Sequence, residues 1–276
     1  MPSKHQRATS KSRKELVEAI EKARNSRVLT YVLSDRRGAG AQVAEDAVRP
    51  IYDHLLTFGK PKKIDLFLFS VGGHIEVPWR IITTLREFCP ELAVLIPYKA
   101  MSAATLIALG ADEIVMGRKG ELGPIDPQVT IQRGDGGTAV QDVMSVEDVM
   151  SYMRFVREKA GLTDQQALAD AIKPLAEKLN PWVLGQISRV YLHIREVARK
   201  LLTSRAPLHP ADEQRTLVIV EMLAEKTYQH GHAIGRKEAK EIGLNVINPS
   251  AVLESLMWDL FGAYEDLMQV RSRVVV

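Results

Sequence analysis

Between residues 27 and 117, short apolar runs alternate with amphipathic ones, and this alternation constrains the fold more than any other feature of the chain. "RVLTYVLS", "KIDLFLFS", "ELAVLIPY" and "DEIVMG" are short and apolar or β-branched enough for strands, with "KIDLFLFS" reading as a buried one. The segments between them, "AEDAVRPIYDHLLTF", "HIEVPWRIITTLREF" and "SAATLIALG", read as helices. Strand–helix–strand alternation predicts crossover connections, and hence an α/β fold on a mostly parallel sheet.

Upstream, "KELVEAIEKAR" has helical apolar spacing through Leu16, Ile20 and Ala23. Near residue 118 the character changes. "RKGELGPIDPQ" concentrates Gly and Pro, and "RGDGG" at 133 to 137 predicts a turn or flexible loop. Helices then dominate, at about 145–160, 164–179, 182–204, 212–229 and 250–270. One exception is "LNVIN", read as a last strand after the helix "GRKEAKEIG", whose terminal Gly243 suits a C-cap. The sequence holds no internal repeat or low-complexity tract.

Composition narrows the class. A chain of 276 residues with 46% hydrophobic content can bury a sizeable core. The single cysteine, Cys89, excludes an intramolecular disulfide framework and a cysteine-based zinc cluster, and reads as a small core residue. The net charge of +3 is unevenly placed, because residues 1–27 carry eight Lys/Arg against three Glu. The body is therefore not a basic nucleic-acid module, and the arm "MPSKHQRATSKSRK" reads as solvated. No apolar run approaches the ~18 residues of a membrane span, and the N-terminus has no signal-peptide core. The expectation is a cytoplasmic protein with no indicated membrane association.

In a parallel sheet, ligands gather at the carboxyl ends of the strands. Two such ends stand out. "LFLFSVGGHIEV" runs a strand into Ser70-Val71-Gly72-Gly73, where paired glycines can turn free N–H groups toward a ligand. "VLIPYKAMSAAT" runs the next strand into Ser102 at a helix start. If neighbouring strands carry these turns, the N–H of Gly72 or Gly73 and that of Ala103 converge on an oxygen beside the Ser102 hydroxyl, as in an oxyanion hole. Each half alone has a plainer reading: turn chemistry for the glycines and a helix N-cap for Ser102.

"SVGGHIE", "YKAMSAATLIALGADEIVMG", "ELGPIDPQ" and "HGHAIGRKEAKEIGLNV" together resemble the Clp protease/crotonase superfamily. The nearer likeness is to the signal-peptide-peptidase-like serine peptidases of the "serine dehydrogenase proteinase" group. The resemblance implies a spiral of β-β-α units over about 27–248, with a helical insertion at about 140–210. A basic arm and helix (1–26) would precede this catalytic domain and a C-terminal helix (249–276) would follow it. It further implies a serine peptidase, independent of ATP, with Ser102 as nucleophile and Gly73 (or Gly72) and Ala103 as oxyanion donors. A peptide or protein substrate, a homo-oligomer and no cofactor are also implied.

Two departures matter. Ala104 stands where the family often has Gly, and Pro124 stands near the position of the Clp-type histidine, so a Ser-His-Asp triad is not expected. A lysine of lowered pKa can serve as the base instead, and Lys119, Lys159 and Lys173 are candidates, with Lys159 preferred. His230 matches a late histidine of the group, whereas His232 and His74 lack that support. Asp126 could orient a base or make an Asx-type turn. "HGH" lacks a third ligand for a metal. The alternative function is a catalytically inactive scaffold or crotonase-like acyl-binding member of the same fold.

Overall fold

The computed structural model describes residues 11–133, 140–179, 181–204, 210–225 and 232–270. Its centre is a parallel sheet of five strands in the order β1-β2-β3-β5-β10: β1 (Arg27–Val32), β2 (Lys63–Phe69), β3 (Glu91–Ile96), β5 (Glu113–Met116) and β10 (Val246–Ile247). The "KIDLFLFS" run is β2, buried along almost its whole length. Its side chains alternate between faces, so Ile64, Leu66 and Leu68 enter one core and Phe67 and Phe69 the other.

The larger core lies under α2 (Val48–Leu55), α3 (Val77–Arg86), α4 (Ala103–Leu109) and part of α7 (Pro181–Thr203). Across the sheet, α1 (Arg13–Arg24) and α10 (Ala251–Met268) cover the smaller core with Leu16, Ile20, Leu253, Met257, Leu260 and Phe261. A capping box at Ser12 and Glu15 starts α1, and Ser250 caps α10 through the Leu253 N–H. All seven residues of α4 are buried. Small residues let it approach its neighbours closely: a β-carbon on the following Gly110 would meet Ile82 at 2.7 Å.

A second, smaller sheet grows from the carboxyl end of the first. It joins β4 (Lys99–Ala100), β6 (Glu121–Leu122) and β9 (Ile234–Gly235) in the order β4-β6-β9. Each strand has two residues and no periodicity that the sequence reading detects. After the Gly- and Pro-rich stretch comes an antiparallel hairpin of β7 (Gln128–Arg133) and β8 (Val140–Ser145), two strands that the sequence reading did not expect. The turn expected at "RGDGG" (133–137) lies, beyond Arg133, outside the described residues.

The later helices are α5 (Val146–Arg154), α6 (Gln165–Lys178), α7, α8 (Pro210–Ala224) and α9 (Arg236–Ile242). The helix expected over 145–160 stops at Arg154 and continues as a π-helical turn, Phe155–Lys159. Gly243 caps α9 in the left-handed region at φ 109°. Among the described residues no helix is long and apolar enough to cross a membrane.

Candidate active site

Because β2 and β3 are neighbours, the two turns that follow them lie side by side. Ser70 joins them. Its N–H donates to the Lys99 carbonyl and its carbonyl accepts from the Met101 N–H, each at 3.0 Å. The fully buried Ser70 hydroxyl accepts the Gly72 N–H, also at 3.0 Å. On its far side the turn is pinned to Val43, whose N–H donates to the Gly72 carbonyl and whose carbonyl accepts from the His74 N–H, both at 2.8 Å. In this parallel bridge the Gly73 N–H is directed away from Val43, and it donates to no acceptor among the described residues. Gly72 (φ 115°) and Gly73 (φ 154°) both hold backbone angles that side chains resist.

Ser102 follows β4 and precedes α4 with φ 51° and ψ −117°. A residue with a side chain held there costs about 1–3 kcal/mol, and such strain persists only where surrounding contacts over-determine it. The helix-cap reading of Ser102 is overturned. Its side chain makes no capping hydrogen bond to α4, and its hydroxyl has no hydrogen-bond partner among the described residues. Ser102 is half-buried, while Ala103 and Ala104 after it are buried. As the first residue of α4, Ala103 has an N–H with no intrahelical acceptor. A β-carbon built on Gly72 would lie 2.8 Å from the Ser102 Cβ, which measures how closely the two turns meet.

The "LGPID" loop forms the third side. A β-carbon on Gly123 would stand 2.8 Å from the Met101 Cε and 3.3 Å from its Cα, so the loop lies directly against the residue before Ser102. Asp126 is buried there and accepts from the Ser145 hydroxyl at 3.4 Å. The loop is tied to the helical half by the Ile125 N–H to the Leu223 carbonyl (3.1 Å) and the Val146 N–H to the Pro127 carbonyl (3.0 Å). Just beyond these contacts Arg195 bridges Glu147 (2.9 Å) and Glu225 (2.8 Å), and Arg154 also reaches Glu225, at 2.7 Å. Burial pushes the Glu147 carboxyl up, against the pull of Arg195. Nothing in sequence spacing points to this cluster, because its members come from α5, α7 and the end of α8.

The base candidates are scattered. Lys159 ends the π-helical turn and is exposed, with no hydrogen bond to Ser102. Lys119 pairs with Glu121, which raises its pKa, and Lys173 pairs with Asp170 at 2.7 Å. His74 is exposed, His232 lies 2.9 Å from Glu238, and His230 lies outside the described residues. Lys99, a residue that sequence reasoning passed over, sits 3.0 Å from Asp35 and over the Tyr98 ring. Burial alone would lower its pKa, but the Asp35 carboxylate outweighs burial and the net direction is upward, so Lys99 stays charged.

Comparison with known proteins finds one family model and several similar chains. Residues 1–136 match the family model described as ClpP-like SDH-type serine proteinase. Two curated relatives from Methanocaldococcus jannaschii are similar. "Uncharacterized protein MJ0137" is 28% identical over 68% of this chain and 54% of its own length. "Uncharacterized protein MJ1495" is 42% identical over 24% of this chain and 23% of its own. The chain thus spans about half the length of the first and a quarter of the second. Among solved structures, the 1510-N membrane-bound stomatin-specific protease aligns with 82% of this chain and 80% of its own at 12% identity and a TM-score of 0.46. ClpP1 from Listeria monocytogenes aligns with 85% of this chain and 99% of its own at 13% identity and a TM-score of 0.42. Residues 1–136, which hold four of the five sheet strands, the Gly-Gly turn and Ser102, are thus the part of the chain that is similar to the ClpP-like SDH-type serine proteinase family.

Proposed function

We propose that the chain is an ATP-independent serine peptidase that cleaves peptide bonds through an acyl-enzyme on Ser102. One observation carries the reading: a strained serine with an uncommitted hydroxyl stands against a Gly-Gly turn. Attack of the Ser102 oxygen on a peptide carbonyl would place the new oxyanion beside the N–H groups of Gly73 and Ala103. Both are free of acceptors among the described residues, and each such donor is typically worth about 3 kcal/mol of barrier. Gly72, whose N–H is taken by Ser70, serves by leaving room for Ser102. An extended substrate would lie beside the Gly-Gly turn by strand addition. The proton of Ser102 passes to a base that enters from the helical half or from another subunit of a homo-oligomer, with Lys159 and His230 as the assigned candidates. The domain division at about 26 and 248 belongs to the same reading.

A second reading is favoured by the unpartnered Ser102 hydroxyl: a scaffold or acyl-binding protein of the same fold that has no working base. A fluorophosphonate probe separates the two. The peptidase is labelled at Ser102 and loses both labelling and peptide hydrolysis in Ser102→Ala. Hydrolysis retained by Ser102→Ala overturns the nucleophile assignment. A wild-type chain that resists the probe and cleaves no peptide favours the scaffold.

A further inference from the structure

We propose that Thr105 is a positioning residue for Ser102, a role that rests on the nucleophile reading above. Thr105 lies in the first turn of α4, three residues after Ser102, and is fully buried. Its hydroxyl oxygen is 2.7 Å from the Ala100 carbonyl and 2.9 Å from the Gly123 carbonyl, and it accepts the Gly123 N–H at 3.0 Å. One side chain therefore ties together the strand that enters the nucleophile turn, the helix that leaves it and the loop packed against Met101. With a single proton to donate, the hydroxyl bonds one carbonyl at a time while holding the Gly123 N–H throughout.

The strained backbone of Ser102 makes this bridge consequential. A residue at φ 51° relaxes unless its flanks are fixed, and Thr105 fixes both the Ala100 side and the α4 side. The same side chain sets the distance between Ser102 and the 122–127 loop, which is tied to the helical half through Ile125 and Pro127. Displacements of about 1 Å at a reacting group can cost about a hundredfold in rate, so a bond far too weak to decide folding can decide reactivity.

Thr105→Val keeps the volume and removes the hydroxyl; Thr105→Ser keeps the hydroxyl. The second-order rate of fluorophosphonate labelling at Ser102 is measured for each, under conditions where circular dichroism shows the variant folded. The expected result is a fall of about tenfold to a hundredfold for Thr105→Val and less than about threefold for Thr105→Ser. For peptide hydrolysis, kcat falls and KM holds. Labelling of folded Thr105→Val at the wild-type rate overturns the proposal, as does equal slowing in Thr105→Ser. Should Thr105→Val not fold, Thr105→Cys, with its weak S–H donor, takes its place and must be slower than Thr105→Ser; equal rates overturn the proposal. A wild-type chain with no labelling above that of Ser102→Ala overturns the nucleophile reading, and the role of Thr105 with it.

Discussion

The Gly72 α-carbon faces Ser102 so closely that an added methyl would stand 2.8 Å from the Ser102 Cβ and 3.3 Å from its hydroxyl oxygen. The Met101 carbonyl closes the same space at 3.1 Å. Gly72→Ala therefore has to displace the nucleophile or the turn that faces it, and φ 115° adds strain of its own. Labelling of Ser102 is expected to fall by about a hundredfold or more in this variant while the chain remains folded. Probe labelling beside a urea melt tests both halves of the expectation.

Gly73 fails differently. A β-carbon there would lie 2.3 Å from the Val43 carbonyl oxygen and 2.5 Å from the Val43 nitrogen, both backbone atoms that cannot swing away. Gly73→Ala is expected to break the Val43 bridge and destabilise the chain by about 2–4 kcal/mol, the range of severe point substitutions. Hydrogen exchange would show the amides of Val43 and His74 losing protection. Gly185, inside α7 with nothing within 4 Å of its added methyl, is the contrasting site. Gly185→Ala should stabilise by about 0.5–1 kcal/mol in the same melt, because the helix no longer carries the entropy penalty of glycine.

Burial pushes the Cys89 thiol up to about 11, only partly opposed by the Arg86 charge. In the native chain at pH 8 it should resist iodoacetamide, and unfolding in urea should expose it to rapid alkylation. The sign of the accompanying pH effect follows from the raised value. The fold favours the neutral thiol, so its contribution is complete below the ordinary value of 9.0 and is lost as the pH climbs toward 11. Cys89→Ala should remove that alkaline slope from the stability curve.

The parts of this architecture that were legible in the sequence are those with long, local signals. β2 is apolar almost throughout, α3 and α10 bury one face, and each lies close to where its pattern predicts. The closeness of Gly72 and Ser102 was legible only conditionally, since it depends on β2 and β3 being neighbours. The strands β4, β6 and β9 have two residues each and exist by pairing with partners distant in sequence, so no local period announces them. Thr105 reads in sequence as one more residue of a buried helix, and its three partners become visible only when Ala100 and Gly123 are brought to it. The base stayed hidden for the same reason, because it is chosen by tertiary approach, which the spacing of lysines and histidines along the sequence does not reveal.

At the amino end of the sheet, Asp65 has a fully buried side chain and depends on Arg24, which donates to its two oxygens at 2.9 and 3.1 Å, and on the Ser26 hydroxyl at 2.7 Å. Arg24→Ala strands that carboxylate, and breaking a buried pair in this way costs about 3–5 kcal/mol. Arg24 also reaches Glu113 at 2.9 Å, and Lys63 reaches it at 3.2 Å. Burial tends to raise the Glu113 pKa, yet the bonds and charges of Arg24 and Lys63 overcome it and hold the carboxyl below its ordinary 4.5. A depressed carboxyl contributes stability above its unfolded value and loses it as the pH falls through the folded one. Glu113→Gln should therefore be less stable than the wild-type chain at pH 7, and the gap between their urea midpoints should narrow as the pH is lowered below 4.5. A gap that stays constant from pH 7 to pH 3 would mean that the Glu113 charge contributes nothing to holding α1 against the sheet.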